Sequence, residues 1–328
     1  MTQPLQELCP VCNTRNAVFF AHARDLEYFT TSETFTYLRC NECLVVFLRN
    51  PPVDRLHEIY PKNYYSAGSD FNESFLYRVK DTLEKRMFRK LLRSFPGDSI
   101  SVLDVGGGYG WMLNRVREAE PRARETFVLD FDESLRRKAE EEGHVFYSQR
   151  VEEFTSDRKF DFILMLNIIE HVADPLRVMR AIGKALSPGG AILVKTPNVD
   201  TLDRYIFQRH NWGGFHCPRH FVLFNKSNLS RMINQCGMEM AWFSYTQGAA
   251  QWTASILGMM AQKRIISCDL EHPVYEHPLW GPLATVTSAF DFMRLPFSKT
   301  AQMFCLLKHK YARAGSDLEE KRERTPLA

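Results

Sequence analysis

No stretch of the 328-residue chain reaches the roughly 18 consecutive apolar residues that a membrane-spanning helix needs. Charge of one sign is also scarce. Lys and Arg number 42 against 39 Asp and Glu, a net of +3, so composition gives no general signal for nucleic acid or another polyanion. The N-terminus has neither a basic leader ahead of an apolar run nor a transit-peptide composition, and no internal repeat is visible. These absences argue against membrane, fibrous and repeat classes and lead to the expectation of a cytoplasmic globular protein without a transmembrane span. A chain this long has room for one large domain and a small accessory one. Only the polar tail, Ala312–Ala328, reads as disordered.

What the chain does contain is an ordered series of strand ends. Ser101–Val105 is an apolar strand that runs into Gly106, Gly107, Gly108 and Gly110. Glycine there permits positive φ and lets a ligand approach bare backbone. Trp111–Ala119 has helical spacing, and Thr126–Leu129 is a strand ending at Asp130. That carboxylate lies about 20 residues past the turn, where a doubly wound sheet places a group to accept hydrogen bonds from a ribose diol. Ser134–Glu142 reads as a helix and His144–Tyr147 as a third strand. Phe160–Leu166 is a continuous apolar run, as expected for a strand buried on both faces. Asn167 to Pro175 follows at its carboxyl end, with Asp174 as N-cap and Pro175 in the first turn of the next helix. Ser187–Gly190 turns into strand Ala191–Thr196. Asn225–Cys236 is a helix capped by Asn225 or Ser227, and Met238–Tyr245 and Ala301–Lys308 are the last strands. A dehydrogenase turn would read G-x-G-x-x-G, whereas this one reads Gly106-x-Gly108-x-Gly110.

The segments LDVGGGYG (103–110), LDFDES (129–134), FDFILMLNIIEHVADP (160–175) and LSPGGAILVKTPN (186–198) resemble, in order and spacing, class I S-adenosylmethionine (SAM) dependent methyltransferases over about residues 100–245. The likeness is to the ubiquinone-pathway type of O-methyltransferase and to sugar C-methyltransferases. It implies an α/β fold, a Rossmann-like class I methyltransferase sheet with helices on both faces, with SAM as donor and S-adenosylhomocysteine as product. It also implies roles. Gly106, Gly108 and Gly110 would hold the methionine moiety, and Asp104 would orient the turn and the SAM amino group. Asp130 would take the ribose, Arg150 and Val151 would flank the adenine, and Phe131 and Asn167 would complete the cofactor pocket.

Four of the eight cysteines fall as Cys9-Pro-Val-Cys12 and Cys40-Asn-Glu-Cys43. Paired CxxC knuckles place four thiolates around one tetrahedral Zn²⁺, closing a structural site. Two antiparallel strands and a loop would fill the 27 residues between Cys12 and Cys40. Asn13 and Leu44 stand where a glycine commonly follows such a knuckle. Disulfides and a redox CxxC are the alternatives, the first disfavoured in a reducing cytosol. Many relatives begin CPxC…CxxC, which supports a small N-terminal zinc ribbon. The remaining cysteines read as buried or incidental. The expected organisation is a zinc-ribbon module over 1–50, a linker and helical lid over 51–98, and the methyltransferase domain over 99–311. That domain carries an apolar insertion at about 250–298, and 312–328 is the tail. The lid helix, about Phe75–Phe95, shows a stripe of Leu76, Val79, Leu83, Met87, Leu91 and Phe95. Tyr64 and Tyr65 stand where relatives cover the SAM pocket.

Methyl transfer from a sulfonium is an in-line displacement, so the protein mainly aligns the reactants and excludes water. An oxygen or carbon nucleophile also needs a base, a role suited to histidine. Trp212 to Phe224 holds two histidines, an arginine and four aromatic residues in thirteen positions. Relatives carry a similar P-R-H-x-x-x-F segment, and the resemblance implies His220 as general base, His216 as second candidate and Arg219 orienting the acceptor. His171 would be a base or a pocket-shaping hydrogen bonder, and Glu170 a brace for the helix N-terminus. Tyr65, Asn198 and Trp212 would join Arg219 on the acceptor wall. Three functions stay open: O-methylation of a small biosynthetic intermediate, C-methylation of a keto-deoxysugar nucleotide, and SAM binding without transfer. The acceptor could be free, carrier-bound or lipid-linked. The apolar insertion could be core, a lid, a membrane-facing surface or a homodimer contact.

Overall fold

The structure, a computed structural model, describes residues 7–61, 63, 64 and 75–310. Tyr65 and the tail 312–328 therefore lie outside the described residues.

The N-terminal strands are β1 (Ala17–Ala23), β2 (Phe35–Cys40) and β3 (Val46–Leu48), followed by the short helix α1 (Leu56–Ile59) and then α2 (Phe75–Leu92). The α/β part comprises β4 (Ser101–Val105), α3 (Trp111–Ala119), β5 (Glu125–Asp130), α4 (Arg136–Glu141), β6 (Val145–Ser148), β7 (Phe160–Leu166), α5 (Pro175–Lys184) and β8 (Leu186–Pro197). After α6 (Leu202–Phe207) and β9 (Val222–Leu223) come α7 (Lys226–Gln235), β10 (Met238–Thr246), α8 (Ala249–Gln262), α9 (Trp280–Arg294) and β11 (Gln302–His309).

The main sheet has the order β10-β11-β8-β7-β4-β5-β6. Strands β4 to β8 pair in parallel and β11 and β10 add antiparallel. Sequence patterning explains the core. Val102, Leu103, Phe162, Ile163 and Leu164 have no exposed surface, as both sheet faces are covered. On one face Phe88 and Leu92 of α2, Leu113 and Val116 of α3 and Ala139 of α4 pack on Val102 and Leu164. On the other, Val178 and Ile182 of α5 and Leu229 and Met232 of α7 pack on Ile163 and Ile192. The order reverses at β4, with β5 on one side and β7 on the other. That switch point opens a crevice at the carboxyl ends of the strands.

Three local expectations change. On α2 the buried face runs through Phe88 and Leu92 and continues at Phe95 just past the helix, while Leu83 is 48% exposed. Met87, Leu91 and Phe95 of the expected stripe pack on the sheet together with Phe88 and Leu92, and Leu83 drops out of it. The Ser187–Gly190 turn belongs to β8 itself. Phe160 pairs with Leu186 and Phe162 with Ala191, so the segment bulges out of the ladder. The helix expected over Ser134–Glu142 begins as a turn of 3₁₀ helix, Glu133–Leu135, and becomes α4. The caps at Asp174 and Asn225 are as read: Asp174 accepts from Arg177 N at 2.9 Å, and Asn225 and Asn228 form a reciprocal capping box.

The N-terminal strands form a second sheet, β1-β2-β3-β9, whose last member comes from the α/β part. Val46 pairs with Leu223 and Phe47 with Val222. Val46, Phe215, Leu223 and the sheet residue Ile163 belong to one apolar cluster, so residues 7–50 share their core with the α/β part. The apolar insertion is a helical pair. Trp252 of α8 packs edge-on against Phe207 and Phe290, and its Nε1 donates to buried Asp291 at 3.1 Å. Among the described residues no helix is long and apolar enough to cross a membrane.

Candidate functional site

The glycine turn sits at the switch point. Gly106, Gly108 and Gly110 have φ of +67°, +60° and +89°. The conformation is enforced by neighbours as well as by φ. A Cβ at Gly106 would lie 2.1 Å from Ile168 Cδ1, and one at Gly110 2.2 Å from His144 Cδ2. Gly106 N donates to Leu129 O, and Gly108 N donates to Asp130 Oδ2 at 3.0 Å, so the end of β5 is tied to the turn. Asp130 Oδ1 also accepts from Asp132 N at 3.0 Å. Burial raises the Asp130 carboxyl above its usual range.

Asp104, near the end of β4, is 3% exposed and accepts no hydrogen bond from the described residues. Burial, with the Asp130 charge adding to it, pushes its carboxyl up to about 8. Asn167 ends β7 in the left-handed region at φ +59°, its N donating to Lys195 O, and its buried Oδ1 has no partner. Phe131 is 59% exposed beside Asp130. Arg150, just past β6, pairs with Glu152 at 3.4 Å, and Val151 packs on the core. Two acceptors without donors, two carboxyls at adjacent strand ends and a glycine cradle fit a ligand that carries an ammonium and a ribose.

Beyond the turn lies a cluster of histidines and tyrosines. The rings of His171 and His220 have centroids 4.7 Å apart, and those of His216 and His220 5.0 Å apart. His220 Nδ1 lies 2.9 Å from Gly214 O, and His171 Nδ1 3.1 Å from Arg219 O and 2.8 Å from Tyr60 OH. A carbonyl only accepts, so His220 Nδ1 carries the proton and its Nε2 keeps a lone pair, whereas His171 Nδ1 faces both a carbonyl and the Tyr60 hydroxyl, which either donates or accepts. Burial, then the neighbouring His216, holds His171 down at about 3. Burial, then His171 and His216, holds His220 well below the ordinary imidazole value. Both rings are therefore neutral at physiological pH. Glu170 joins them: its Oε2 accepts from Thr196 Oγ1 at 2.9 Å, its Oε1 has no partner, and burial pushes the carboxyl up to about 8. Glu170, His171 and His220 bring donor atoms within 4.8 Å of one another, and burial favours the neutral form of all three.

Several expectations are corrected here. Arg219 does not face an acceptor. Both it and Asp25 are fully buried and pair at 2.9 Å, and Arg219 Nε donates to Ile59 O at 2.6 Å. Trp212 is fully buried, its Nε1 donating to Asp203 at 2.6 Å. Asn198 is fully buried too, with its amide donating to Asp200 O and Thr300 O. All three hold the loops after β8 in place, because a buried polar group keeps whatever partner satisfies it. Glu170 braces the end of β8 through Thr196 rather than a helix N-terminus.

The residues that sequence reading missed, Asp25, Glu27 and Tyr60, come from the N-terminal part, which also supplies Tyr64, read in the sequence as a cover for the pocket. Asp25 grips Arg219, and Glu27 Oε2 lies 2.8 Å from His216 Nδ1. Tyr60 reaches His171, and Tyr64 OH lies 3.0 Å from His216 Nε2. The available signal was a pair of carboxylates, Asp25 and Glu27, just ahead of Tyr28 and Phe29 in the loop between the two cysteine knuckles. His144, which backs Gly110 and lies 2.8 Å from Thr126 Oγ1, was read only as the start of a strand.

The four knuckle cysteines converge as expected. Cys9 Sγ is 3.5 Å from Cys43 Sγ, and Cys12 Sγ is 3.5 Å from Cys40 Sγ. Hydrogen bonding from Cys9 leads the effects that lower the Cys43 thiol to about 5, while the same contact raises Cys9 and burial raises Cys12, so without a cation one thiolate is stabilised and its neighbours stay protonated. Four sulfurs at this spacing fit a tetrahedral zinc. Asn13 (φ +58°) and Leu44 (φ +61°) take the left-handed conformation after each knuckle. Non-glycine residues there cost about 1–2 kcal/mol each, a strain that fits a turn fixed by a metal.

Residues 79–241 match the model of the Methyltransferase domain family, so this region is a methyltransferase domain of the class I, SAM-dependent type. Among curated proteins the chain is similar to the mitochondrial ubiquinone biosynthesis O-methyltransferase of Dictyostelium discoideum, 25% identical over 171 residues that cover 44% of this chain and 53% of that protein. It is also similar to the ubiquinone biosynthesis O-methyltransferase of Idiomarina loihiensis, 38% identical over 152 residues covering 42% and 61%. The chain thus spans between about half and two thirds of the length of these two relatives. Among solved structures, coclaurine N-methyltransferase bound to N-methylheliamine and SAH superposes with a TM-score of 0.50 at 14% identity, over 79% of each chain. That likeness concerns the fold.

Proposed function

We propose that the protein transfers the methyl group of SAM to a hydroxyl oxygen of a small biosynthetic intermediate, releasing S-adenosylhomocysteine. The observation that carries this reading is the convergence of Asp104 and Asp130 on the glycine turn, one carboxyl without a hydrogen-bond donor and the other tied to Gly108 N. SAM brings an ammonium for the first and a ribose diol for the second. SAM supplies an activated methyl, so the remaining work is alignment, water exclusion and proton removal. The cluster of His171, His216 and His220 beside Tyr60 and Tyr64 supplies proton-accepting ring nitrogens suited to a hydroxyl acceptor, with burial holding His171 and His220 neutral. The O-methyltransferase names of the curated relatives favour oxygen over carbon. Zinc in the cysteine cluster would be structural, which suits a reducing cytoplasm.

Calorimetric titration tests the reading. SAM and S-adenosylhomocysteine should both bind, and Asp130→Ala should weaken both at least tenfold, about 1.4 kcal/mol, without loss of fold. Equal affinity of the variant would remove Asp130 from the donor site, and silence from both ligands would remove the function.

A further inference from the structure

We propose that Glu27, presented by the loop between the two zinc knuckles, is a positioning residue for methyl transfer: it holds His216 so that this ring draws the proton of the acceptor through the Tyr64 hydroxyl. The inference deepens the methyltransferase reading and rests on it. The three groups stand in series. Glu27 Oε2 is 2.8 Å from His216 Nδ1, and His216 Nε2 is 3.0 Å from Tyr64 OH. Their chemistry sets the direction. A carboxylate has only lone pairs, so His216 Nδ1 donates to it. Nε2 is then the acceptor, and the Tyr64 O–H donates.

The arrangement is held from both sides. The loop is fixed by Asp25, which accepts from Tyr28 N at 2.9 Å and Thr30 N at 3.0 Å while it pairs with Arg219. His216 is a non-glycine residue in the left-handed region at φ +38°, fastened by His216 N donating to Gly213 O and Arg219 N donating to His216 O. Strain of this kind concentrates where a side chain must be aimed. The His216 and Glu27 side chains are only 7% and 14% exposed, so little water competes for their bond.

Neighbouring groups explain why His216, rather than His171 or His220, receives the proton. His216 is faced by Glu27 and Tyr28 from the loop, Tyr64 from the segment after α1, His171 from the turn after β7, and His220 from its own segment, while the Arg219 guanidinium lies over the Tyr64 ring. Among these, Glu27 alone puts a carboxylate against an imidazole ring. His171 and His220 rest against carbonyls, and the carboxyl nearest them, Glu170, keeps its own proton up to about 8. In the step, the acceptor oxygen forms a bond to the methyl carbon as the carbon–sulfur bond breaks, and its electron pair leaves neutral sulfur in S-adenosylhomocysteine. The acceptor proton moves to Tyr64 oxygen as the Tyr64 proton moves to His216 Nε2. The product is a methyl ether and an imidazolium paired with Glu27.

The test uses full-length zinc-loaded protein with ¹⁵N-labelled histidine, with and without S-adenosylhomocysteine, as wild type and as Glu27→Gln, Glu27→Leu and Glu27→Asp. Ring-nitrogen spectra should show the His216 proton on Nδ1 in wild type, Glu27→Gln and Glu27→Asp, and its loss from that position in Glu27→Leu. Catechol serves as the hydroxyl probe for transfer. Glu27→Gln should slow it about a hundredfold at neutral pH, with a smaller deficit at high pH where catechol ionises unaided, and Glu27→Asp should recover part of the rate. A wild-type His216 with its proton on Nε2, an unchanged Glu27→Leu spectrum, or a pH-independent deficit would each overturn the proposal. S-adenosylhomocysteine affinity should be the same in all four proteins. Failure of wild type to bind it would instead overturn the methyltransferase reading.

Discussion

Asp104 illustrates how a single residue couples ligand, proton and stability. Its folded value, pushed up to about 8 by burial and Asp130, lies above the roughly 3.9 of an unfolded aspartate. The folded chain therefore binds the proton more tightly, so stability falls as pH rises from about 4 towards 8. Asp104→Asn should flatten that slope and raise the melting temperature of ligand-free protein near pH 8, as read by thermal denaturation across pH. A SAM ammonium beside the carboxyl would drive it to ionise. Titration at pH 7 in buffers of different ionisation enthalpy should accordingly reveal proton release on binding by wild type and none by the variant. Identical release from both proteins would detach Asp104 from the ligand. The two aspartates were legible in sequence because strand ends and turn spacing mark them. Arg219, Trp212 and Asn198 were misjudged because a polar side chain looks the same in sequence whether it faces a cavity or a buried partner; Asp25 is far from Arg219 in sequence, and Asp203 sits on the short helix α6 with no pattern that ties it to Trp212.

At the scale of elements, the turn between β4 and α3 is the part most sensitive to one added methyl group. Gly110→Ala places an L residue at φ +89° and its Cβ against His144. We expect a loss of about 1–3 kcal/mol in stability and a larger loss in SAM affinity, checked by denaturant unfolding and calorimetry. Adding His144→Ala should relieve the contact but not the backbone strain, recovering only part of either loss. Undiminished SAM affinity in Gly110→Ala would show that the turn is not the cradle. Elements were legible wherever one pattern dominated. The apolar run Phe160–Leu166 and the cap at Asp174 stand as read. On α2, by contrast, Leu83 and Phe88 offer overlapping apolar stripes, and only the shape of the sheet face chooses between them. The bulge in β8 was legible as a Pro-Gly-Gly signal but not as part of a strand, since local turn residues do not reveal the ladder running on both sides of them.

For the whole molecule, the second sheet links the cysteine cluster to the histidine cluster. The knuckles fix β2 and β3, β3 pairs with β9, and Tyr37 of β2 donates to Phe215 O and His220 O at 3.1 and 3.0 Å. Purified protein should carry about one zinc per chain. Its removal by a chelator should lower the melting temperature and broaden the ring signals of His216 and His220, measured by metal analysis, calorimetry and NMR. A metal-free preparation with unchanged melting would refute the zinc ribbon. The two cysteine knuckles announced this module in sequence, but its union with the α/β part was not legible, because the two-residue strand Val222–Leu223 is too short to carry a pattern.

That two-residue pairing bears on how the protein can be divided and inherited. A fragment that starts at residue 99 would present the apolar side of Phe215 and Leu223 to water with an unmatched strand edge, and a fragment that stops at residue 50 would lack its outermost strand. Neither piece is a self-sufficient folding unit. A chimaera that exchanges the first 50 residues with those of a related protein must carry a matching 212–224 segment or lose its interior fit, so the two regions are expected to change together over evolution.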